Sequence, residues 1–289
     1  MKTILITGAS GAIGRPLVLA LAQRRVRLRA VGRSIQSRDF PSKVDYVNTD
    51  LAEPERLVPE LEKADTLFVH PRAVGASAAD LMILAAKHGV RRIVALSTLD
   101  VEEDPALQPS RSLGDLNREV EQAVMGSGLP WVCVRASPYA RPVVDLLASQ
   151  ARVGAVVGVP YPSFAEAPVH ERDLTEVIAR TLLDDKLEER VIEVTGPAAM
   201  THQELAEVIA EVAGRRPLRF EEMSPATAVN QLVANGLSRA FAEGLMARCA
   251  RELGRPATVT DEVHQLTGHP AHTFATWVAD NAGQLHLLG

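Results

Sequence analysis

"ITGASGAIGRP", residues 6–16, decides the fold. It sets three glycines, Gly8, Gly11 and Gly14, at intervals of three. One reading is a turn that needs glycine's freedom of φ. The other is a backbone held close enough to a pyrophosphate for its N–H groups to bind it. The flanks favour the second. Lys2–Thr7 carries the continuous apolar run Ile4, Leu5, Ile6 of a buried strand, and from Ile13 the apolar residues take helical spacing. Pro16 falls in the helix's first turn, where its missing N–H has no partner to lose. Gly-x-x-Gly-x-x-Gly departs from the commoner Gly-x-Gly-x-x-Gly, but a strand-to-helix turn is the context a dinucleotide fingerprint requires. Gly8, Ser10, Gly11, Ala12, Ile13 and Gly14 are therefore expected to bind a dinucleotide.

The bulk composition suits such a protein. A chain of 289 residues with 46% hydrophobic content has ample material for a core. A net charge of −5 argues against nucleic acid or an anionic membrane as partner. The sequence shows no signal peptide and no apolar run long enough to cross a bilayer, and Cys133 and Cys249 show no metal-type pairing. A cytoplasmic protein with reduced thiols is expected.

Strand and helix patterns then alternate. Strands are expected at 26–32, 43–48, 65–70, 91–97 and 130–136, and helices at 54–64, 77–89 and 113–128. Repeated βα units require crossovers, hence a parallel sheet covered on both faces, and right-handed crossovers make it doubly wound. Turn residues thicken at "GVPYPSFAEAP" (158–168), while "RVIEVTG" (190–196) reads as a strand returning to the sheet. "THQELAEVIAEVAG" (201–214) opens on Thr201 with Glu204 three residues on, a capping box. The expected organisation is an α/β doubly wound Rossmann domain over 1–156, and a smaller, mostly helical substrate-binding cap from 157–189 and 197–289. Ligand is expected at the carboxyl ends of the strands, under that cap.

"ITGASGAIG" (6–14), "NTDLAEPERL" (48–57), "GVRRIVALST" (89–98), "EQAVMGSGLPWVCVR" (121–135) and "EVTGPAAMTHQELA" (193–206) together resemble the NmrA-like, atypical short-chain dehydrogenases. The resemblance implies a Rossmann domain, a C-terminal substrate domain, and either NAD(P)H-dependent reduction of quinones, ketones and dyes or regulation through dinucleotide binding alone. It places Asp50 and Leu51 by the adenine ring, with a helix N-cap region as the competing reading. Ser97, ending the fifth strand, matches a position near the nicotinamide, or merely closes its strand. His70, ending the fourth strand, is counted with the cofactor residues.

An enzyme that prefers NAD places an acid at the end of the second strand for the ribose 2′-hydroxyl. Here the strand ends "AVGRS", and no acidic residue precedes Asp39. Arg33 can fork onto a 2′-phosphate and Ser34 can add a hydroxyl, so NADP(H) is the expected cofactor.

The usual Tyr-x-x-x-Lys acid is missing. None of Tyr46, Tyr139 and Tyr161 has a lysine four residues on, and the expected helix "LGDLNREVEQAV" contains neither residue type. The candidates left are Ser97, Asn117 and Tyr139, with His170 as a further donor. Asp173 reads as a helix cap, the eight histidines as forming no metal cluster, and His286 as solvated. Relatives usually show Arg-Pro where this chain has "RASP" (135–138). The expected function is NADPH-dependent reduction of a hydrophobic quinone or hydrogen-bond-activated aromatic ketone, by a monomer or homodimer. The alternative is an NADP(H) sensor without turnover.

Overall fold

A computed structural model describes residues 1–137, 156–214 and 219–285, with 144, 147 and 150. It divides into two compact units. The first takes Met1–Glu102, Gly114–Ala136 and Glu171–Glu193; the second takes Glu103–Leu113, Ser137–His170 and Val194–Gly289.

In the first unit β1 (Thr3–Ile6) leads through α1 (Gly14–Ala22) to β2 (Arg27–Gly32) and β3 (Val44–Asn48). Then come α2 (Val58–Leu61), β4 (Thr66–Val69), α3 (Pro71–Val74), α4 (Ala78–Lys87) and β5 (Arg92–Thr98). α5 (Asn117–Met125), β6 (Trp131–Ala136), α6 (Glu171–Leu183) and the strand Arg190–Val194 complete it. The sheet order is β3-β2-β1-β4-β5-β6 followed by Arg190–Val194, and the pairings from β3 across to β6 are parallel. This is the doubly wound sheet expected, with 190–194 returning to its edge. Alternation sorts the strands' apolar residues onto two faces. Leu5, Val31, Leu67 and Ile93 pack with Leu81 of α4 and Val120 of α5, while α1 packs against α6. Each fully buried aliphatic side chain contributes about 1.5–3 kcal/mol.

Two expected helices are shorter than read. Residues 54–64 form a 3₁₀ turn, Pro54–Leu57, before α2, because Pro59 supplies no N–H to continue a ladder and can only stand in a helix's first turn. The helix expected from 113 starts at Asn117, after a 3₁₀ segment Pro109–Leu113 and Gly114 at φ +89°.

The second unit is mostly helical, with helices His202–Val212, Pro225–Ala234, Arg239–Glu252, Glu262–Thr267 and Phe274–Asn281. The capping box forms: Thr201 Oγ1 accepts from Glu204 N–H at 3.2 Å, and a Glu204 carboxylate oxygen accepts from Thr201 N–H at 2.7 Å. Those bonds hold the Glu204 carboxyl below its ordinary pKa. Val156–Pro160 is a strand the turn-rich sequence hid; it pairs in parallel with Arg219–Met223. Phe164, Leu205, Ile209, Phe241 and Trp277 pack into this unit's core. Among the described residues no helix is long and apolar enough to cross a membrane.

Candidate functional site

The glycine turn is fixed from beneath. Thr7, fully buried, donates its hydroxyl to the Phe68 carbonyl at 3.0 Å and accepts the His70 N–H at 2.8 Å, locking the ends of β1 and β4 together. Gly8 then turns at φ +65°, in the left-handed region. Ala9 N–H reaches the Val31 carbonyl at 3.0 Å, and Gly11 N–H returns to Gly8 O at 3.0 Å. Gly14 has no alternative: a Cβ there would lie 2.1 Å from Gly8 O. Gly11 differs, for its Cβ would meet only Gly8 O, at 3.2 Å, on the exposed side of the turn. α1 starts with no side-chain cap and no acid in its first turn, so no side chain offsets the positive end of its dipole. The glycine cradle and uncapped helix end fit a pyrophosphate.

The residues expected at a 2′-phosphate follow β2, beside β3. Arg33 and Ser34 are exposed just past β2. Their turn is clasped by Asn48, whose carbonyl accepts Ile35 N–H at 2.6 Å while its amide donates to Ile35 O at 2.9 Å. Thr49 N–H adds a bond to Gly32 O at 3.0 Å. Ser10 comes close by: its Oγ lies 3.4 Å from where a Gly32 Cβ would stand. The first acid, Asp39, is engaged in accepting Gln36 N–H at 2.7 Å. Asp50 accepts Ala52 N–H at 3.1 Å, the turn-capping role, and Leu51 beside it is buried.

His70 lies under the glycine turn, its Cβ 3.0 Å from the position of a Gly8 Cβ. Its Nδ1 is buried without a hydrogen-bond partner, and burial holds the imidazole below its ordinary pKa. Nearby, Arg72 grips Asp115 through two bonds, of 3.0 and 2.6 Å. In the second unit His202 is likewise held down by burial; its Nδ1 lies 2.8 Å from the Pro160 carbonyl, and Nε2 is buried without a hydrogen-bond partner. The unfolded chain protonates both rings near pH 6.5 and the folded chain only at lower pH. Unfolding therefore takes up protons as pH falls, and stability present above about 6.5 is lost below it. The melting temperature should decline from pH 7 toward 5, and less steeply in His70→Asn. An unchanged slope in the variant would remove His70 from this account.

Ser97 and Asn117 stand farther along the strand ends, at the end of β5 and the first residue of α5, each 4% exposed. Ser97 Oγ is buried with no hydrogen-bond partner. Four residues after Asn117, Glu121 accepts from Arg135 with both oxygens, at 3.0 and 2.8 Å, and Arg135 also reaches Glu102 at 2.7 Å. Those bonds to Glu121 push the guanidinium pKa up. Tyr139 and His286 lie outside the described residues.

Asp173 is the third residue of α6, a buried acid in its first turn. His170, His269 and His272 gather in the second unit, a juxtaposition that about 100 residues of intervening chain concealed. Sequence reasoning also missed Thr7 and Asn48, which carry no local signal, and the Glu121–Arg135 pair.

The NAD(P)H-binding family model matches residues 8–185. The chain is 33% identical to (4-alkanoyl-5-oxo-2,5-dihydrofuran-3-yl)methyl phosphate reductase of Streptomyces griseus, covering 96% of this chain and 98% of that one. It is 28% identical to the NAD(P)H azoreductase of Xenophilus azovorans, covering 96% and 98%. Among solved structures, the NADPH-dependent quinone oxidoreductase of Escherichia coli superimposes with a TM-score of 0.81 at 21% identity, over 97% of this chain and 99% of that one.

Proposed function

Because the chain belongs to the NAD(P)H-binding family, in the NmrA-like group of atypical short-chain dehydrogenases, and is an NAD(P)H-dependent oxidoreductase, we propose that it uses NADPH to reduce a hydrophobic carbonyl compound. The acceptor is a quinone, or an aromatic ketone activated by its own hydrogen bond. Gly8, Ser10, Gly11, Ala12, Ile13 and Gly14 would hold the pyrophosphate, Arg33 and Ser34 the 2′-phosphate, and Asp50, Leu51 and His70 the adenosine side. When bound, the reduced nicotinamide supplies the hydride.

One observation carries the substrate class. The helix where Tyr-x-x-x-Lys would stand offers Asn117 and Glu121, and both Glu121 oxygens already accept from Arg135. An amide donates weakly, and this carboxylate is committed to structure. Hydride delivered to an isolated ketone leaves a strongly basic alkoxide that needs an acid. Hydride delivered to a quinone leaves a delocalised anion that does not. The relatives' named acceptors, an azo compound and an acyl-furanone, share that conjugation. The protein's contribution is then orientation and exclusion of water, worth several kcal/mol.

No side chain should therefore be indispensable as acid. Ser97→Ala and Tyr139→Phe should each lower kcat/KM by less than about tenfold, short of the roughly 10²–10⁴-fold supplied by a positioned acid. A loss above about 10²-fold in either, with NADPH affinity intact, would identify a catalytic acid and overturn this mechanism.

A further inference from the structure

The His70 ring is built into the glycine turn. Gly8 has no side chain, and the ring occupies the room one would need. His70 Cβ and Cγ stand 3.0 and 3.1 Å from the position of a Gly8 Cβ, with Ala73 Cβ at 3.4 Å. The backbone fixes the residue on both sides. His70 N–H donates to Thr7 Oγ1 at 2.8 Å, and His70 O accepts the Ala73 and Val74 N–H groups of α3 at 2.9 and 3.3 Å. Ring, turn and α3 are thereby held in one arrangement.

Within that arrangement His70 Nδ1 is buried and makes no hydrogen bond, and burial keeps the ring neutral. The charged side chains that act on it are Asp115, ahead of α5, and Arg72 on α3, and these two are already bonded to each other. The charged residues of α4, α5 and β5, which pack on α3, add nothing, and residues 7–14 include none. The pyrophosphate that the turn is built to hold would bring two negative charges to it. An anion beside a poorly hydrated imidazole favours the protonated ring, and protonation turns both ring nitrogens into donors.

Resting on the dinucleotide reading of that turn, we propose that His70 couples cofactor binding to a proton. As the pyrophosphate seats, the ring takes one proton from solvent, and Nδ1–H donates toward a pyrophosphate oxygen. The only covalent bond formed is that N–H, and the nicotinamide is untouched. The complex then holds one proton more than the free chain. A bound state with the extra proton gains on the free state as pH falls, so cofactor affinity rises from about pH 8 toward about pH 6. Occupancy of the site thus follows pH through a residue that carries no part of the hydride chemistry.

Calorimetric titration of the full-length chain with NADP⁺, in two buffers of different ionisation enthalpy near pH 6.5, reads the proton directly. The cofactor's 2′-phosphate itself titrates near pH 6, so the comparison is with His70→Asn, where that contribution is the same. The wild-type chain should take up about half a proton more per cofactor than the variant. Its affinity should also tighten about threefold or more, relative to the variant's, between about pH 8 and about pH 6. Near pH 8, where the ring is neutral, the two should bind within about fivefold of each other. NAD⁺ lacks the 2′-phosphate and should give the same uptake with the wild-type chain alone, which keeps the test independent of how the variant folds. Equal proton counts in wild type and variant, release in place of uptake, or no uptake with NAD⁺ would each overturn the role of His70 and leave the dinucleotide reading standing. Absence of NADP⁺ binding by the wild-type chain would overturn that reading, and the proposal with it.

Discussion

Gly11→Val should abolish NADPH binding while leaving the chain folded. Of the three glycines Gly11 alone separates the two roles. At Gly14 a side chain would be driven into Gly8 O, 2.1 Å from its Cβ, and at Gly8 a positive φ penalises any other residue. At Gly11 the Cβ has room apart from the 3.2 Å approach to Gly8 O, and it points into the exposed side of the turn. A branched side chain there occupies the place where the pyrophosphate must approach the backbone. Losing two charge-assisted hydrogen bonds at about 1.5–3 kcal/mol each weakens binding by at least about 100-fold. Calorimetric titration and circular dichroism check both halves. A folded variant that binds NADPH normally would reduce Gly11 to a turn residue.

Glu166→Ala should be the most damaging single change to the second unit. Glu166 and Arg248 pair at 2.7 Å with side chains each only 6% exposed, and the Arg248 guanidinium lies 5.5 Å from the Phe164 ring centre. Removing the carboxylate leaves the buried guanidinium with the more distant Glu252 carboxylate, 3.8 Å from its Nε, at a cost of up to about 3–5 kcal/mol. For a unit of this size the melting temperature should drop by on the order of 10 °C. The paired replacement Glu166→Leu with Arg248→Met removes both charges and should cost much less. Thermal melts of the two variants make the comparison. A single-variant loss below about 1 kcal/mol would show that the pair behaves as a solvated one.

The contrast between what was legible in sequence and what was not has a physical basis. Gly8 and Gly14 announce themselves because the backbone geometry there disfavours any side chain, so the constraint is written into composition. The strands are legible because burial on both faces forces continuous apolar runs, as in Ile4–Ile6. Asn48 is not, since its work is a bond to Ile35, 13 positions away, and nothing in "KVDYVN" marks it. Glu121 reads as one charge among several on α5 until β6 places Arg135 against it. Val156–Pro160 was hidden by its own glycine and proline, residues that are normally turn signals. The histidine corner depends wholly on tertiary contact. Local rules see what local geometry constrains, and the candidate site divides along that line: the glycine turn between β1 and α1 is legible, the residues that brace it are not.

The most direct test of the central claim is NADPH oxidation by the purified chain across a panel of quinones, aromatic ketones with and without an adjacent hydroxyl, and isolated aliphatic ketones. Turnover with quinones and hydroxyl-bearing ketones is predicted, with isolated ketones inert. NADPH should be preferred over NADH by roughly tenfold or more through the Arg33 contact, and Arg33→Ser should erase that preference. Tight NADPH binding with no turnover of any acceptor would contradict the account and make the protein a dinucleotide sensor.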